Sequence, residues 1–458
     1  MTASASNLPP VEAIQRLLDV ITKPARLLVA ISGGSDSTGL LVALSKAISP
    51  GSGISLFAAT VDHALRPESA EEALSVAALC SRLGIPHVIR RWEGEKPEAG
   101  LSAASREARY RLLVEIADEI DATAILTGHT LDDQAETVAM RAARSGREDN
   151  LGLAGMAEAV LLERRRWLLR PFLKTRRADI RAFLTNEGES WIDDPSNLNP
   201  HYERVRVRGK LATEGSFDAA ALTRAVKRRT ALSDAAARLV HDHVTIRLGV
   251  LAHLAPAGLA GDGAVRRHAL SLLSAVLGGR AHALRGESTN RVMAFLDSGR
   301  PGRITAGRVI FDLRRDGLYL ARENRGLMPL VVAPGGIAVW DGRYRIANGS
   351  AAEIIIGPTA PDREEARALF PDAPPAIAMR AMSVMPWVEA NSFFFPAGSS
   401  TIALSQPPTA GQIHIMPTLA PFDRFLPQFD LNLASEFAVL LGCDVFPPLP
   451  VKDSARKS

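Results

Sequence analysis

Residues 27–41 read LLVAISGGSDSTGLL and join a short apolar run to a loop rich in glycine and serine. The run up to Ile31 has the branched apolar residues of a buried strand, and an apolar helical pattern follows the loop. Gly33 and Gly34 allow positive φ angles, so that successive backbone N–H groups of the loop can point at one anion. The stretch therefore predicts a strand, a phosphate-binding loop and a helix that begins near Thr38.

The acidic residue of this loop, Asp36, would repel a phosphate unless a cation lay between the two. Mg²⁺ typically binds one or two carboxylates together with substrate phosphates, so Asp36 suggests a magnesium ion. A helix cap made of serine and glycine is the alternative interpretation, but it leaves the paired glycines and Asp36 unexplained. We therefore expect a nucleotide and its Mg²⁺ to bind the loop residues Ser32, Gly33, Gly34, Ser35, Asp36 and Ser37.

Short apolar runs alternate with helical patterns between residues 25 and 145. Four such runs favour strands, and apolar residues spaced three and four apart at residues 69–83 and 101–120 favour helices. This alternation is typical of an α/β fold with a parallel sheet and helices on both faces. Because ligands of such sheets bind at the carboxyl ends of the strands, the glycine-rich loop would lie on the ligand side.

The pattern changes twice along the rest of the chain. Residues 217–244 and 264–279 are Ala- and Leu-rich helical patterns, with no strand pattern between them. Short strand patterns and then a tail punctuated by Pro and Gly follow from about residue 303. We therefore expect a catalytic domain at residues 1–210, a helical substrate-binding domain at residues 211–302 and a small β-rich domain at residues 303–458.

The composition favours a cytoplasmic protein with an anionic partner. The 458 residues are 47% hydrophobic, but no apolar stretch approaches the roughly 20 residues of a membrane span, and the N-terminal residues show no secretory signal pattern. The net charge is +4, and basic residues cluster at residues 164–181, 204–210 and 224–229. Solvated helix faces would explain any one cluster, whereas three neighbouring clusters favour binding of nucleic-acid phosphates.

Several motifs at ordered positions resemble those of one group of nucleotide-using enzymes. The loop SGGSDS is similar to the PP-loop of the ATP pyrophosphatases, which have an adenine nucleotide alpha hydrolase-like fold and cleave ATP between the α and β phosphates. Five further motifs resemble the tRNA(Ile)-lysidine synthetase family. They are VDHALRPES at residues 61–69, ASREARY at 104–110, TGHTLDDQAET at 127–137, LRPFLKTRRADI at 169–180 and WIDDPSNLNPHYERVRVR at 191–208.

The resemblance implies an ATP-dependent carbon–nitrogen ligase that acts on tRNA. Such an enzyme joins free L-lysine to C2 of the wobble cytidine in the CAU anticodon of tRNA(Ile). The cytidine C2 oxygen attacks the α-phosphate of ATP and releases pyrophosphate, and the ε-amine of lysine then displaces AMP. By the same resemblance Mg²⁺ is bound by Asp36 and Asp133, and the catalytic residues are Asp36, Arg109, Asp133 and Glu136.

Two of these acids share one face of the predicted helix that follows residue 130. Asp133 and Glu136 are three residues apart, so they could bind Mg²⁺, hold the lysine ammonium or accept its proton. A charged, capped helix start is the alternative interpretation. Arg106 and Arg109 also share a helix face, and the resemblance favours Arg109 as a ligand of an ATP or adenylate phosphate.

Two histidines end predicted strands at the ligand edge of the sheet. We interpret His63 and His129 as contacts to the phosphates or the adenine of ATP. They are not expected to bind zinc, because no second pair of metal ligands accompanies them.

Three arginines in the RVRVR sequence are expected to bind tRNA. Arg204, Arg206 and Arg208 alternate as on a strand and would share one face. The preceding residues 194–197, DPSN, favour a rigid turn that would present this face. Val205 stands where the family usually has asparagine. The second half of the chain is assigned to tRNA recognition because the family carries helical and β-rich domains there.

Two other functions stay open at this point. A PP-loop tRNA thiolase generally needs cysteines that carry sulfur or a cluster, and the two cysteines, Cys80 and Cys443, are not expected to meet at the strand ends. A non-catalytic, nucleotide-dependent RNA-binding protein with a decayed site is the alternative from another class. The joint presence of Asp36, Arg109 and Asp133 with Glu136 disfavours decay.

Overall fold

The computed structural model describes residues 7–65, 69–144, 150–193, 203–214, 217–389 and 411–452. The chain forms two compact units. The first contains Met1–Arg229 and Pro447–Ser458, and the second contains Thr230–Phe446. None of the described helices is both long and apolar enough to cross a membrane.

Strands and helices alternate in the first unit. They are α1 (Pro10–Val20), β1 (Ala25–Ala30), α2 (Ser35–Ala47), β2 (Ile54–Asp62), α3 (Ser69–Arg82), β3 (His87–Arg91), α4 (Leu101–Glu119), β4 (Ala124–Thr127), α5 (Leu131–Arg144), β5 (Ala159–Leu162), β6 (Arg166–Leu169), α6 (Arg177–Asn186) and α7 (Glu203–Glu214). The division between the units falls inside the next helix, α8 (Ala219–His243).

Six strands of the first unit lie side by side in the order β5-β6-β4-β1-β2-β3. Neighbouring strands are parallel except for β5 and β6. Strand β1 lies between β2 and β4, where Leu27 is opposite both Leu56 and Ala124, and the Leu27, Leu28 and Val29 side chains are buried. Burial of a central strand by helices on both faces explains its continuous apolar run. The predicted α/β fold with a largely parallel sheet is confirmed.

The strand order reverses on either side of β1. The chain continues from β1 to β2 and β3 on one side of the sheet, and β4 lies on the other side. Such a reversal opens a crevice at the carboxyl ends of the two strands that flank it. The glycine-rich loop follows β1, and the segment that begins with Gly128 and His129 follows β4, so both lie at this crevice.

The second unit contains short helices and antiparallel strands. They are β7 (Val244–Arg247), β8 (Leu251–Leu254), α9 (Pro256–Leu259), α10 (Gly263–Leu277), α11 (Gly286–Asp297), β9 (Gly302–Ala306), β10 (Val309–Arg314), β11 (Gly317–Arg322), β12 (Leu330–Val332), β13 (Ile337–Trp340), β14 (Tyr344–Asn348), β15 (Ile354–Pro358), α12 (Arg363–Leu369), α13 (Pro375–Met382), β16 (Pro386–Glu389), β17 (Ile413–Pro417), β18 (Phe425–Pro427) and α14 (Leu431–Leu441).

Three antiparallel sheets organise the second unit, in the orders β7-β8-β11-β10-β9, β12-β15-β16 and β13-β14-β17. The expectation that no strand separates the two helical stretches is wrong, since the hairpin β7-β8 lies between them. Leu248 and Gly249 turn this hairpin with positive φ angles, and Ala252 of β8 pairs with Leu320 of β11. The domain boundaries at residues 210 and 302 stay predictions, although α7 continues past residue 210 and one sheet joins strands from both sides of residue 302.

A buried aspartate of the second unit, Asp341, is surrounded by three arginines. Arg322 Nη2 lies 3.0 Å from Asp341 Oδ1, and Arg343 Nε lies 2.6 Å from Asp341 Oδ2. Arg308 pairs with the same carboxylate. Asp341 lies between β13 and β14, whereas Arg322 ends β11 and Arg308 directly precedes β10. The carboxylate therefore links the five-stranded sheet to the β13-β14 hairpin.

Candidate active site

The glycine-rich loop folds tightly at the end of β1. Gly33 has a φ angle of +84°, and a Cβ atom there would lie 2.7 Å from Cδ1 of Ile192. The N–H of Ile192 donates to the Gly33 carbonyl oxygen at 2.9 Å, so this later segment lies against the loop. Ser37 Oγ accepts the N–H of Ser32 at 3.2 Å. The positive φ angle therefore favours glycine at position 33, and any other residue would also have to displace the end of the Ile192 side chain.

Helix α2 begins inside the loop, at Ser35, and not near Thr38 as predicted. The apolar periodicity starts only at Thr38, whereas the N–H of Thr38 already donates to the Gly34 carbonyl at 3.0 Å. The first amides of a helix have no intrahelical acceptor and carry partial positive charge. The first turn of α2 thus supplies donors to the same anion that the loop would bind.

The loop after β4 touches the start of α2 through backbone atoms. A Cβ atom on Gly128 would lie 2.6 Å from the carbonyl oxygen of Asp36 and 2.9 Å from the backbone nitrogen of Ser37. Real Cβ atoms do not approach backbone so closely, so only glycine allows this contact. The contact fixes the spacing between the PP-loop and the start of helix α5.

Three of the predicted acids surround one arginine, Arg177, at the start of α6. Arg177 Nε lies 2.8 Å from Asp36 Oδ2, and its Nη2 lies 3.2 Å from Asp133 Oδ1. Its Nη1 lies 4.0 Å from Oε1 of Glu136, whose side chain is only 2% exposed. The backbone N–H of Arg177 donates to Asp132 at 2.8 Å, so this fourth acid positions the arginine. The structure therefore brings Asp36 of α2 together with the two acids of α5.

The charge state of Asp36 depends on this arrangement. Burial raises the pKa of Asp36, and the Arg177 guanidinium opposes that shift. Burial lowers the pKa of Arg177, but the neighbouring Asp36 and Asp133 raise it by more. Asp36 thus needs a cation beside it in order to stay ionised at this depth.

The RVRVR segment forms helix α7 and not the predicted strand. Arg204 Nε lies 2.8 Å from Glu136 Oε2, and Arg208 Nε lies 2.7 Å from Glu136 Oε1. These two arginines are four residues apart and share a helix face, but Arg206 lies on another face. The expectation of one stripe containing all three is therefore wrong, because ion pairs with a buried acid override the alternating pattern. The predicted turn at residues 194–197 lies outside the described residues.

A second group of arginines lies around Tyr110 of α4. The Cζ atoms of Arg106 and Arg109 lie 4.9 Å and 5.2 Å from the centroid of the Tyr110 ring. Arg170, which follows β6, is only 3% exposed and donates from Nη1 to the Ala157 carbonyl at 2.7 Å. Burial raises the pKa of Tyr110, but Arg109 and the other two arginines lower it by more. The group therefore carries a strong positive potential.

The two predicted histidines lie beside this basic group and are held uncharged. The pKa of His129 is well below its usual value because of burial and then of Arg170, and its Nδ1 lies 2.9 Å from Thr127 Oγ1. Burial and then Arg109 lower the pKa of His63, whose ring meets that of Trp92 edge-on at 6.1 Å. Both rings can therefore contact an anionic ligand as neutral hydrogen-bonding groups.

Several buried polar atoms of this basic group have no protein partner. Within the described residues these are the Nδ1 of His63, the Nε of Arg109 and the Nε of Arg170. Buried donors are normally hydrogen-bonded, and leaving one unpaired is costly. Unpaired donors on two arginines indicate a place for an anionic ligand such as a phosphate.

Several basic residues of the first cluster, at residues 164–181, pair with acids of the first unit. Arg166 Nε lies 2.6 Å from Asp118 Oδ1, and Arg181 Nη2 lies 2.8 Å from Asp193 Oδ1. The predicted binding of nucleic-acid phosphates by this cluster stays a prediction, although several of its charges are paired with acids or, like Arg170, are buried. Sequence reasoning missed Arg170 and Arg177 as site residues; the apolar residues that flank Arg170 in LLRPFL were a signal of its burial.

The acids suit a metal ion that needs few protein ligands. Asp36 and Asp133 both bond Arg177, so their oxygens face one another across its guanidinium. In the part of the chain that the structure describes, no three His, Cys, Asp or Glu side chains are grouped to hold a metal by themselves. Mg²⁺ usually takes one or two carboxylates and completes its shell with water and substrate phosphates. This donor set fits magnesium bound together with a nucleotide.

Comparisons with known proteins agree with the motifs. A family model described as a PP-loop domain matches residues 10–214. The chain is 45% identical to the tRNA(Ile)-lysidine synthase of Rhizobium meliloti (strain 1021), over 94% of each chain. It is 38% identical to that of Mesorhizobium japonicum, over 92% of this chain and 93% of the relative, and 36% identical to that of Brucella melitensis biotype 2, over 91% and 94%. The resemblance found in the motifs is confirmed, and the chain belongs to the tRNA(Ile)-lysidine synthase family.

Proposed function

We propose that the chain uses ATP to ligate free L-lysine to C2 of the wobble cytidine in the CAU anticodon of tRNA(Ile). The products are lysidine in the tRNA, AMP and pyrophosphate. The observation that carries the proposal is the grouping of Asp36, Asp133 and Glu136 beside the PP-loop at the carboxyl ends of β1 and β4. The names of relatives that match along nearly the whole chain support the same reaction.

The PP-loop would bind the phosphates of ATP. The loop backbone, its serine hydroxyls and the first turn of α2 supply donors, and the N-terminus of the helix favours negative charge. Asp36 and Asp133 would hold Mg²⁺, which supplies positive charge to the departing pyrophosphate. Arg177 orients both carboxylates and opposes the rise that burial causes in the pKa of Asp36.

The basic group around Tyr110 would stabilise the first chemical step. The C2 oxygen of cytidine attacks the α-phosphorus of ATP, the bond to the bridging oxygen breaks, and pyrophosphate leaves. Negative charge develops on the α-phosphate oxygens during this step. Arg109 and Arg170 have unpaired donors for such oxygens, and His129 is neutral and can donate or accept a hydrogen bond. His63 would contact the same nucleotide.

Asp133 and Glu136 would bind the ε-ammonium of lysine and take its proton in the second step. The deprotonated amine forms a bond to C2 of the adenylated cytidine, the bond between C2 and the phosphate-bearing oxygen breaks, and AMP leaves. Carboxylates next to the attacking nitrogen both attract the ammonium and accept the proton. Glu136 is the more deeply buried of the two acids, which strengthens its electrostatic attraction for a cation.

Arginines of α7 and the chain after residue 210 would recognise the tRNA. The three anticodon bases cannot separate tRNA(Ile) bearing CAU from methionine tRNAs with the same anticodon, so other parts of the tRNA must contribute. Arg204, Arg206 and Arg208 are proposed to contact its phosphates. We place the reaction in the cytoplasm, where tRNA, ATP and lysine are available together.

One assay separates this function from the alternatives. Purified protein is incubated with ATP, radiolabelled lysine and unmodified tRNA(Ile), and label in the RNA is measured. We expect incorporation that Glu136→Gln abolishes and that Glu119→Gln, at the far end of α4, leaves unchanged. Burial raises the pKa of the Cys80 thiol to about 11, which disfavours thiolase chemistry at this residue. No incorporation by wild-type protein, with ATP bound, would favour a non-catalytic RNA-binding protein.

A further inference from the structure

Every oxygen of the carboxylates proposed for lysine already accepts at least one hydrogen bond. Glu136 Oε1 accepts from Arg208 and Oε2 accepts from Arg204. Asp133 Oδ1 accepts from Arg177 at 3.2 Å and from Arg204 at 3.3 Å. The second oxygen of Asp133 accepts the N–H of Thr130 at 2.8 Å. A lysine ammonium would therefore have to share these oxygens with the arginines or displace one of them.

Among the side chains that pair directly with one another, the charges are balanced without any substrate; among the described residues the fourth acid, Asp132, bonds only the backbone of Arg177. The three carboxylates of Asp36, Asp133 and Glu136 face the three guanidinium groups of Arg177, Arg204 and Arg208. An additional ammonium would bring one positive charge too many into a largely buried site, which is unfavourable at low local dielectric. Displacement of one arginine restores the balance.

The three arginines differ in how firmly they are held. The Arg177 side chain is 20% exposed, and its backbone is fixed by Asp132. The side chains of Arg204 and Arg208 are 40% and 39% exposed and reach the acids from α7. Half-exposed arginines keep much of their access to water and to other anions, so they are the ones that can exchange partners.

The phosphates of a polyanion such as tRNA are hydrogen-bond acceptors that compete with the acids for Arg204 and Arg208. Arg204 and Arg208 are one helical turn apart on α7, and phosphate oxygens accept bidentate hydrogen bonds from guanidinium groups. A phosphate of bound RNA would lie outside the buried acid cluster, and an arginine that turns toward it would uncover Glu136. A guanidinium group of α7 can therefore pair with Glu136 or with an RNA phosphate, but not with both at once.

We propose that Arg204 and Arg208 occupy the lysine subsite in the free protein and leave it when tRNA phosphates engage helix α7. Lysine binding is thereby coupled to tRNA binding, and the amine enters the site only beside the cytidine that it is to modify. This inference rests on the proposed function, because it takes Asp133 and Glu136 as the lysine subsite. Coupling of this kind is reciprocal, so lysine also tightens the binding of tRNA.

The experiment measures binding of radiolabelled lysine by equilibrium dialysis, without ATP, in the absence and presence of unmodified tRNA(Ile). For the wild-type protein we expect tRNA to raise the lysine affinity by roughly 5- to 150-fold, the usual range of such couplings. Arg208→Gln should bind lysine more tightly without tRNA, and tRNA should then add little. Arg204→Gln is a second variant with the same expectation.

The matched control is Arg144→Gln, which removes another arginine between α5 and α7. Arg144 Nη2 lies 2.5 Å from Oε2 of Glu203 at the exposed start of α7, and Arg144 does not contact Asp133 or Glu136 among the described residues. This variant should retain the wild-type response to tRNA. A tighter affinity in Arg208→Gln with an undiminished tRNA effect would overturn the proposal, since simple loss of a positive charge would then explain it.

The proposal and the proposed function fail in different ways. If Glu136→Gln binds lysine as wild type does with tRNA present, the lysine subsite is misassigned. If Glu136→Gln loses lysine binding but the wild-type affinity is equal with and without tRNA, only the coupling is wrong. Thermal unfolding of each variant verifies that it is folded before binding is compared.

Discussion

Replacement of Arg177 by glutamine removes the cation that Asp36, Asp133 and Glu136 share. Glutamine keeps part of the side-chain length and can still donate a hydrogen bond, but it cannot balance charge. Removing one partner of a buried ion pair usually costs about 3–5 kcal/mol of folding stability. Arg204 and Arg208 remain near two of the acids, so we expect the lower end, about 3 kcal/mol, for Arg177→Gln.

The loss of folding stability in Arg177→Gln should be larger at high pH than at low pH. The pKa of Asp36 is raised in the folded state, mainly by burial, so ionisation of Asp36 lowers stability as the pH increases through that pKa. Arg177 limits the shift, and without it the pKa of Asp36 rises further. The deficit of the variant is therefore full near about pH 8 and shrinks toward about pH 4, where Asp36 is largely protonated in the folded state and about half protonated in the unfolded state.

The assay is a urea titration in which unfolding is followed by hydrogen exchange of peptides from β1 and β4. Exchange in these peptides reports on the first unit alone. Arg176→Gln is the matched control, because Arg176 is the exposed neighbour of Arg177. The reasoning is refuted if Arg177→Gln and Arg176→Gln unfold at the same urea concentration. It is also refuted if the deficit of Arg177→Gln is as large near pH 4 as near pH 8.

Three further predictions follow from other parts of the molecule. Asp36→Ala should fold but lose tRNA-dependent exchange of pyrophosphate into ATP, because a ligand of the Mg²⁺ is lost; normal exchange would exclude this role. Arg206→Glu should weaken tRNA binding and flatten its dependence on salt, measured by filter binding at several ionic strengths, and an unchanged slope would place the RNA elsewhere. Asp341→Ala leaves three arginines without their shared carboxylate and should lower the unfolding free energy of the second unit by about 3–5 kcal/mol. The measurement is a urea titration followed by hydrogen exchange of β10 and β11 peptides, and a loss below about 1 kcal/mol would contradict the linking role.

Local patterns were sufficient for the first unit because its elements alternate in the chain as they do in space. The apolar run at residues 27–31 predicted the central strand, and the loop that follows it predicted the ligand edge. The grouping of Asp36 with Asp133 follows from the same rule, since residues after two adjacent parallel strands meet at one edge. The parallel topology thus places motifs that are distant in the sequence in one site.

Features that depend on distant partners were not predicted. The alternating arginines of α7 match the period of a strand, and only their ion pairs with Glu136 show why the helix is preferred. Arg177 looked like one surface charge among many, because its three acidic neighbours come from segments more than 40 residues away. Strands β7 and β8 are short, and the pairing of β8 with β11 has no local signature.

The backbone contact at Gly128 has a consequence for attempts to redesign this protein. The start of α2 and the loop that precedes α5 touch through main-chain atoms, so the spacing between the PP-loop and the acids of α5 cannot be tuned by exchanging side chains. A laboratory variant meant to accept another primary amine would need its changes at the far end of the substrate, around the α-amino and carboxylate groups of lysine. Substitutions at the junction itself would move both reactive partners at once, so a screen for new amines should leave Gly128 and the SGGSDS loop untouched.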